Sequence, residues 1–435
     1  MHRMLRLHPP RGPSPQGSAL HSQAAGRDGR VLRDFRGAHP SAPGGMRLRS
    51  RLRPELSARR APGRAGPCPG GGRREKGMTG PGPSFRSLIL AAGKSLRMGR
   101  LGERRPKHFL PVANVALLDR HIAALEPYAP TRISHSRHKQ DVFKAHLAGR
   151  HAAAVGRGSL SLHLNPLIVE GPLYPFLELI QETAAAGRRD FVVIGAAGDA
   201  YSPIDLADLV RFHASHDRPV TIVAAKGFPT PKALLFSVGA GGRLEAFART
   251  AGSSSPRDLV NLGYYVAGPR LLEVVGMDLP AYREDDVIAI LAGLGAAAVY
   301  LAPEGSININ TPYNLLLANL SALKRLSRDG PWDRPGAGRL EIETGVLRGE
   351  DVEIHDSARL RGVVLGDRVR IGRRSRLENV LALPGARVGE GAVLTNVILG
   401  EGAAVPDGAR LSEAVAVDDG PAEPMPMLCD PSFEP

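Results

Sequence analysis

The sequence predicts an α/β domain with a mostly parallel sheet, followed by a parallel β-helix. Two observations carry that reading. Short apolar strands alternate with amphipathic helices from Ser87 to the helix opened by Thr311-Pro312. Beyond Gly338, aliphatic residues recur every five or six positions instead. Ser327–Gly338, rich in Pro, Gly and charge, separates the two regimes.

Composition bounds the alternatives. The chain has 435 residues, of which 43% are hydrophobic, enough for two domains and a sizeable core. It has no apolar run of about 18 residues to suggest a membrane span, and its first residues lack a secretory pattern. The net charge of +14 is concentrated in residues 1–85, which hold 17 Lys+Arg against 4 Asp+Glu. The rest is nearly balanced, so no basic stripe for nucleic acid is expected on the folded part. Residues 1–85 are Arg-, Pro-, Gly- and Ser-rich and read as a disordered tail. A transit peptide and a true translation start at Met78 are the alternatives. The two cysteines, Cys68 and Cys429, stand far apart and offer neither a disulfide framework nor a Cys-based zinc site. A reducing, cytoplasmic setting is the expectation. The expected domains are 86–326 (α/β), 327–340 (linker), 341–415 (β-helix) and 416–435 (flexible tail).

Taken in order, Ser87–Ala92 reads as a buried strand. Leu118, Ile122 and Leu125 recur at helical spacing, as do Leu173, Phe176, Leu177 and Ile180. Phe191–Ile194 is a strand, Leu206–His213 a helix and Val220–Ala225 a strand; Leu262–Val266 and Ala298–Leu301 are further strands. Thr311 as N-cap and Pro312 in the first turn open the last helix, with an expected apolar face of Tyr313, Leu316, Leu317 and Leu320. The repeat then runs through Leu360, Leu365, Ile371, Leu377, Leu383, Val388, Leu394, Leu399, Val405 and Leu411. Small residues for the corners follow, as at Ser375, Ala392, Ala403 and Ala409.

The chemistry concentrates at Leu90-Ala91-Ala92-Gly93-Lys94-Ser95-Leu96-Arg97-Met98-Gly99 and at Pro106-Lys107. A strand ends in small residues, which let backbone N–H groups approach phosphate oxygens. Lys94, Arg97 and Lys107 supply cations for a polyphosphate. Gly93-Lys94-Ser95 is not a P-loop, because Leu88 stands where that motif needs glycine. The 14 histidines show no His-x-x-x-His spacing and read as surface or core residues.

Together with Leu110-Pro111-Val112, this stretch resembles the signature of the sugar-1-phosphate nucleotidyltransferases. Gly198-Asp199 with Ile204-Asp205-Leu206, Asn261-Leu262-Gly263-Tyr264-Tyr265 and Ile309-Asn310-Thr311-Pro312 resemble that family's later motifs in order. The resemblance covers about residues 86–325, and the repeat tail extends it to about 412. It implies a Rossmann-like domain joined to a left-handed β-helix of hexapeptide repeats. The implied reaction joins a sugar-1-phosphate to the α-phosphate of a nucleoside triphosphate and expels pyrophosphate, with Mg²⁺ as cofactor. By resemblance, Arg97, Lys107 and Asp199 are catalytic, and Leu90, Ala91, Ala92, Gly93, Lys94, Ser95 and Gly198 line the nucleotide. Glu170, Asn261 and Gly263 face the sugar, and Asp199 and Asn308 hold the metal. Stacking of β-helices suggests a homo-oligomer.

The sequence also departs from the family. Tyr174-Pro175-Phe176 stands where a Gly-Thr-Ala loop lies against the base, and Arg249-Thr250-Ala251 lacks the lysine of a Glu-Lys-Pro strand. Asn308 replaces a metal-binding aspartate, and Ala196-Ala197 are inserted before Gly198. These changes keep open a catalytically weak or regulatory paralogue that binds nucleotide or NDP-sugar. An acyltransferase built on the coils ranks lower, since only His355 lies near them.

Overall fold

The computed structural model describes residues 83–93, 95–165, 173–226, 233–249, 259–276, 284–303, 305–329, 339–341, 344–417 and 420–425. Tail residues 1–82, Lys94, Glu170, Thr250-Ala251, Cys68 and Cys429 lie outside them.

Among the described residues, nine strands join in one sheet. Ser84–Ala91 sits between Thr131–His135 and Phe191–Ala197, parallel to both, and Leu160–Leu164 extends that parallel edge. Leu259–Ala267 runs antiparallel between Phe191–Ala197 and Val220–Lys226, and Ala297–Leu301 lies parallel to Val220–Lys226. The antiparallel pair Leu234–Val238 and Leu244–Arg249 forms the other edge. The sheet is therefore largely parallel where the chemistry-bearing loops leave it, with one antiparallel strand let into its middle.

Strand alternation sends neighbouring side chains to opposite faces. Leu88 enters a core closed by helices Leu173–Ala185, Arg270–Val275 and Glu284–Gly293. Ile89 enters another, closed by Leu117–Leu125, Gln140–Arg150 and Leu206–Ala214. Both faces are covered, as the buried apolar strands required.

The repeat region is a parallel β-helix with a coil of 17 residues, visible in the register Leu360↔Leu377↔Leu394↔Leu411 and Ile354↔Ile371↔Val388↔Val405. The corners are marked less by small side chains than by left-handed backbone. Positive φ recurs every 17 residues at Asp351, Arg368, Gly385 and Gly402, and again at Arg374, Gly391 and Gly408. One expected interior residue is displaced. Ala382, not Leu383, occupies the slot shared by Leu365 and Leu399, and Leu383 turns outward.

Outward apolar residues have a purpose here. Leu347, Val364, Leu381, Ile398 and Val415 cover one outer face of the coils. Helix Pro312–Asp329 packs on that face through Leu315, Leu316, Ala318, Ala322, Leu323 and Leu326. Its buried face is thus wider than Tyr313, Leu316, Leu317 and Leu320, because the helix meets the coils on one side and the first domain on the other. Met98, Leu101, Leu110, Val112 and Leu117 complete the same cluster. Polar ties reinforce it: Asn114 Nδ2 donates to Leu365 O at 2.9 Å and Arg105 pairs with Glu401 at 2.6 Å.

Three expected boundaries shift. The last helix continues to Asp329, three residues into the expected linker, and strand Arg339–Glu341 already pairs with Val346–Arg348. The expected flexible tail from 416 is ordered further on, where Val417 and Met425 are buried and Glu423–Pro424 pairs with Ala414–Val415.

Candidate active site

The strands Ser84–Ala91 and Phe191–Ala197 end side by side, in register to Leu90↔Ala197. The two alanines that looked inserted, Ala196 and Ala197, simply lengthen the second strand. Just past it, Gly198 donates its N–H to Leu90 O at 2.9 Å. A Cβ on Gly198 would lie 2.6 Å from that oxygen and 2.9 Å from Ile89 Cγ2, so only glycine lets the loops approach. Leu90 and Ala91 close the first strand; Ala92 and Gly93 begin the loop, and Ser95 turns it with φ +62°.

Pro106 leads into a single 3₁₀ turn, Lys107–Phe109, closed by Phe109 N–H on Pro106 O. The Phe109 ring anchors the turn against Phe143 and His146, at centroid distances of 4.9 and 4.7 Å. The buried Lys107 side chain then reaches under the loop. Its Nζ donates to Asp199 Oδ2 at 2.5 Å and to Asn310 Oδ1 at 2.8 Å. Burial pushes the Asp199 carboxyl upward, but the Lys107 ammonium outweighs it and holds the group below its ordinary value. Asp199 is fixed in turn through its carbonyl, which accepts Ile309 N–H at 2.7 Å, and by pairing of Ala200–Tyr201 with Ile307–Asn308.

Asn308 was expected, with Asp199, to hold the metal. Its backbone pairs with Ala200, and it is Asn310 whose side chain reaches Lys107. Asn310 N–H also closes on Asn308 O, a turn that no spacing rule anticipates.

A second lysine enters unannounced. Lys139 ends the turn after strand Thr131–His135 and is 6% exposed. Its Nζ donates to Gly93 O at 2.5 Å and to Ser95 Oγ at 2.9 Å. Burial, helped by Lys107, lowers its ammonium to about 8. No motif marks Lys139; the only sequence signal is its place just after a strand, and the sheet order is needed to read it.

The remaining candidates sort plainly. Arg97 lies on the turn Leu96–Met98 with an exposed side chain, and the structure shows no contact between it and Lys107 or Asp199. Gly263 adopts φ +72° at the register shift of its strand, and a Cβ there would come 2.9 Å from Ala197 Cβ. Asn261 spends both ends of its amide within its own strand, Oδ1 accepting Gly263 N–H at 3.0 Å and Nδ2 donating to Tyr265 Oη at 2.9 Å. Arg249, at the strand expected to carry a lysine, is committed to Glu284 and Asp285. Tyr174-Pro175-Phe176 is the first turn of a helix, with Phe176 fully buried against Tyr265. Phe176 is core, and Tyr174 is partly buried beside it.

A cavity of about 380 Å³ opens nearby, lined by His121, Ala200, Ser202 and Tyr264 among others. It touches neither Gly93 nor Lys107 and so lies beside the cationic loop, not over it. Burial drives His108 down to about 3 and His121 to about 4, so both imidazoles are neutral near pH 7.

The arrangement can hold an anion over two buried ammonium groups at the carboxyl ends of parallel strands, where open sheets bind ligands. Asp199 also offers a carboxylate, the oxygen donor that Mg²⁺ takes, while Asn310 Oδ1 is engaged by Lys107 Nζ.

Comparison with known proteins agrees with the fold. The MobA-like NTP transferase domain matches residues 87–266, and the GlmU-like C-terminal hexapeptide domain matches residues 342–420. Mannose-1-phosphate guanyltransferase beta-B of Xenopus laevis is 24% identical over 213 residues, which cover 48% of this chain and 57% of that protein. The match thus spans little more than half the length of that curated relative.

Proposed function

From a chain that joins a MobA-like NTP transferase domain to a GlmU-like hexapeptide domain, we propose a sugar-1-phosphate nucleotidyltransferase. A phosphate oxygen of the sugar-1-phosphate attacks the α-phosphorus of a nucleoside triphosphate. The bond from that phosphorus to the β-phosphate oxygen breaks, pyrophosphate leaves and an NDP-sugar forms. The observation that carries this reading is Lys107, buried beneath the glycine loop and held between Asp199 and Asn310.

Catalysis in this reading is positioning and charge stabilisation. Backbone groups from Leu90 to Ser95 and at Gly198 cradle the triphosphate. Lys107 faces the α-phosphate, where charge builds, and Lys139 backs the same loop. Arg97, exposed on the next turn, closes on the departing phosphates. Asp199, with Asn308, would hold Mg²⁺, which when bound neutralises phosphate charge. The Asn261–Gly263 segment, at the register shift of its strand, would face the sugar.

A second reading has its own support. The strand that carries a sugar-phosphate lysine in the family has Thr250 at that position, and its neighbour Arg249 is tied to Glu284 and Asp285. That change fits a regulatory paralogue that binds nucleotide and turns over weakly.

One assay separates them: pyrophosphate release from each nucleoside triphosphate with Mg²⁺ and a panel of sugar-1-phosphates. GTP with mannose-1-phosphate, the pair named by the frog relative, goes first. Release with any pair supports transfer. Nucleotide binding without release from any pair supports the regulatory reading. Light scattering tests the expected homo-oligomer, and a monomer at micromolar concentration refutes it.

A further inference from the structure

The geometry points to a second metal site, distinct from the phosphate loop: Asp119, His146 and His151 form a Zn²⁺-class centre that braces both lysine-bearing turns. Asp119 Oδ1 lies 2.6 Å from His146 Nε2 and 2.8 Å from His151 Nε2. One ligand atom from each residue falls within 4.8 Å of the others. The side chains are 8%, 15% and 19% exposed, so the cluster is sheltered yet reachable from solvent. Histidine spacing alone hid it: His146 and His151 are five apart, and their third partner comes from another helix.

Two imidazole nitrogens and one carboxylate oxygen, with a position left for water, are the donor set of a tetrahedral Zn²⁺ site. The same set disfavours Mg²⁺, which prefers oxygens. With metal–ligand distances of about 2.0–2.2 Å, a tetrahedral ion separates its ligand atoms by about 3.3 Å. The carboxylate oxygen therefore needs to draw back from the two imidazole nitrogens by only about 0.5–0.7 Å to admit it. Arg150 Nε holds Asp119 Oδ2 at 2.9 Å from an exposed position, which turns Oδ1 toward the imidazoles.

The site's reach follows from what its ligands touch. His146 packs on Phe109, which ends the turn that carries Lys107. The helix bearing His146, Gln140–Arg150, begins directly after Lys139. An ion that fixes His146 and His151 against Asp119 thus fixes two cationic turns at once. This holds whether the loop transfers a nucleotide or only binds one.

The test uses the full chain, stripped with a chelator and titrated with Zn²⁺ against a chromophoric competitor. One Zn²⁺ per chain is expected, with affinity falling at least about 100-fold in His146→Gln and in His151→Gln. Asp199→Asn is expected to leave that affinity unchanged. Should the histidine variants not fold, the wild type carries the test alone: Co²⁺ gives tetrahedral visible absorption, and Zn²⁺ but not Mg²⁺ raises the unfolding midpoint. No stoichiometric uptake, uptake indifferent to both histidine variants, or Co²⁺ without tetrahedral bands would overturn the assignment.

Discussion

Lys139 and Lys107 meet on one hydroxyl. The Lys139 ammonium donates to Ser95 Oγ at 2.9 Å, and the backbone N–H of Lys107 donates to the same oxygen at 3.2 Å. Ser95 sits at the left-handed turn of the glycine loop, so both lysine segments set where that loop lies. The Lys107 charge also weighs against the Lys139 ammonium, and a bound polyphosphate would relieve that repulsion.

Proton linkage at Lys139 follows. The folded protein holds this lysine near 8, below its ordinary 10.5, so the unfolded chain binds the proton more tightly. Stability should therefore rise with pH between about 8 and 10.5, and Lys139→Met should flatten that rise. Phosphates beside Lys139 raise its pKa again, so nucleotide binding at pH 8 should take up a fraction of a proton. Calorimetry in buffers of differing ionisation enthalpy reads this directly, and heats that do not vary with buffer would refute it.

Asp199→Asn should lower turnover by about 100-fold or more, since it removes the charge that positions Lys107. Pyrophosphate release under saturating substrate is the measurement. Near-normal turnover would show that the metal and the lysine are held elsewhere.

Gly198→Ala should cost roughly 1–3 kcal/mol, because its Cβ falls 2.6 Å from Leu90 O at the join of two strands. Denaturant unfolding checks the stability. An unchanged midpoint would mean that the join is loose.

Acid should destabilise the fold through buried imidazoles. Burial holds His121 at about 4 and His108 at about 3, while the unfolded forms take protons near 6.5. Stability is thus lost as pH falls from 6.5 toward 4. His121→Gln should remove about 1.4 kcal/mol per pH unit from that slope. Unfolding free energies at pH 6.5 and 4.5 decide it.

Much of this was legible from the chain. Apolar patterning located the most deeply buried strands, while Thr131–His135, Leu160–Leu164, Leu234–Val238 and Leu244–Arg249 escaped it, and the aliphatic period located the coils because each corner recurs. The loop residues at Gly93 and Lys107 were legible because small residues and cations clustered at a strand end. Lys139 was not, since it reaches the loop from a neighbouring strand, and only the pairing of Ser84–Ala91 with Thr131–His135 brings it there. Asn310 was not legible either, because a tight turn, invisible to spacing, brings its amide to Lys107. Leu383 misled for the opposite reason: it is apolar and in period, yet it serves the outer seam under the last helix.

That seam has a consequence for any attempt to dissect the protein. The helix Pro312–Asp329 offers leucines to both halves, and its entry segment supplies Asn310 to Lys107. Amputating the coils would strip this helix of half its lining and slacken the strap that carries Asn310. The amino-terminal half expressed alone should therefore be sticky and misaligned at its centre, even though every loop residue is still present.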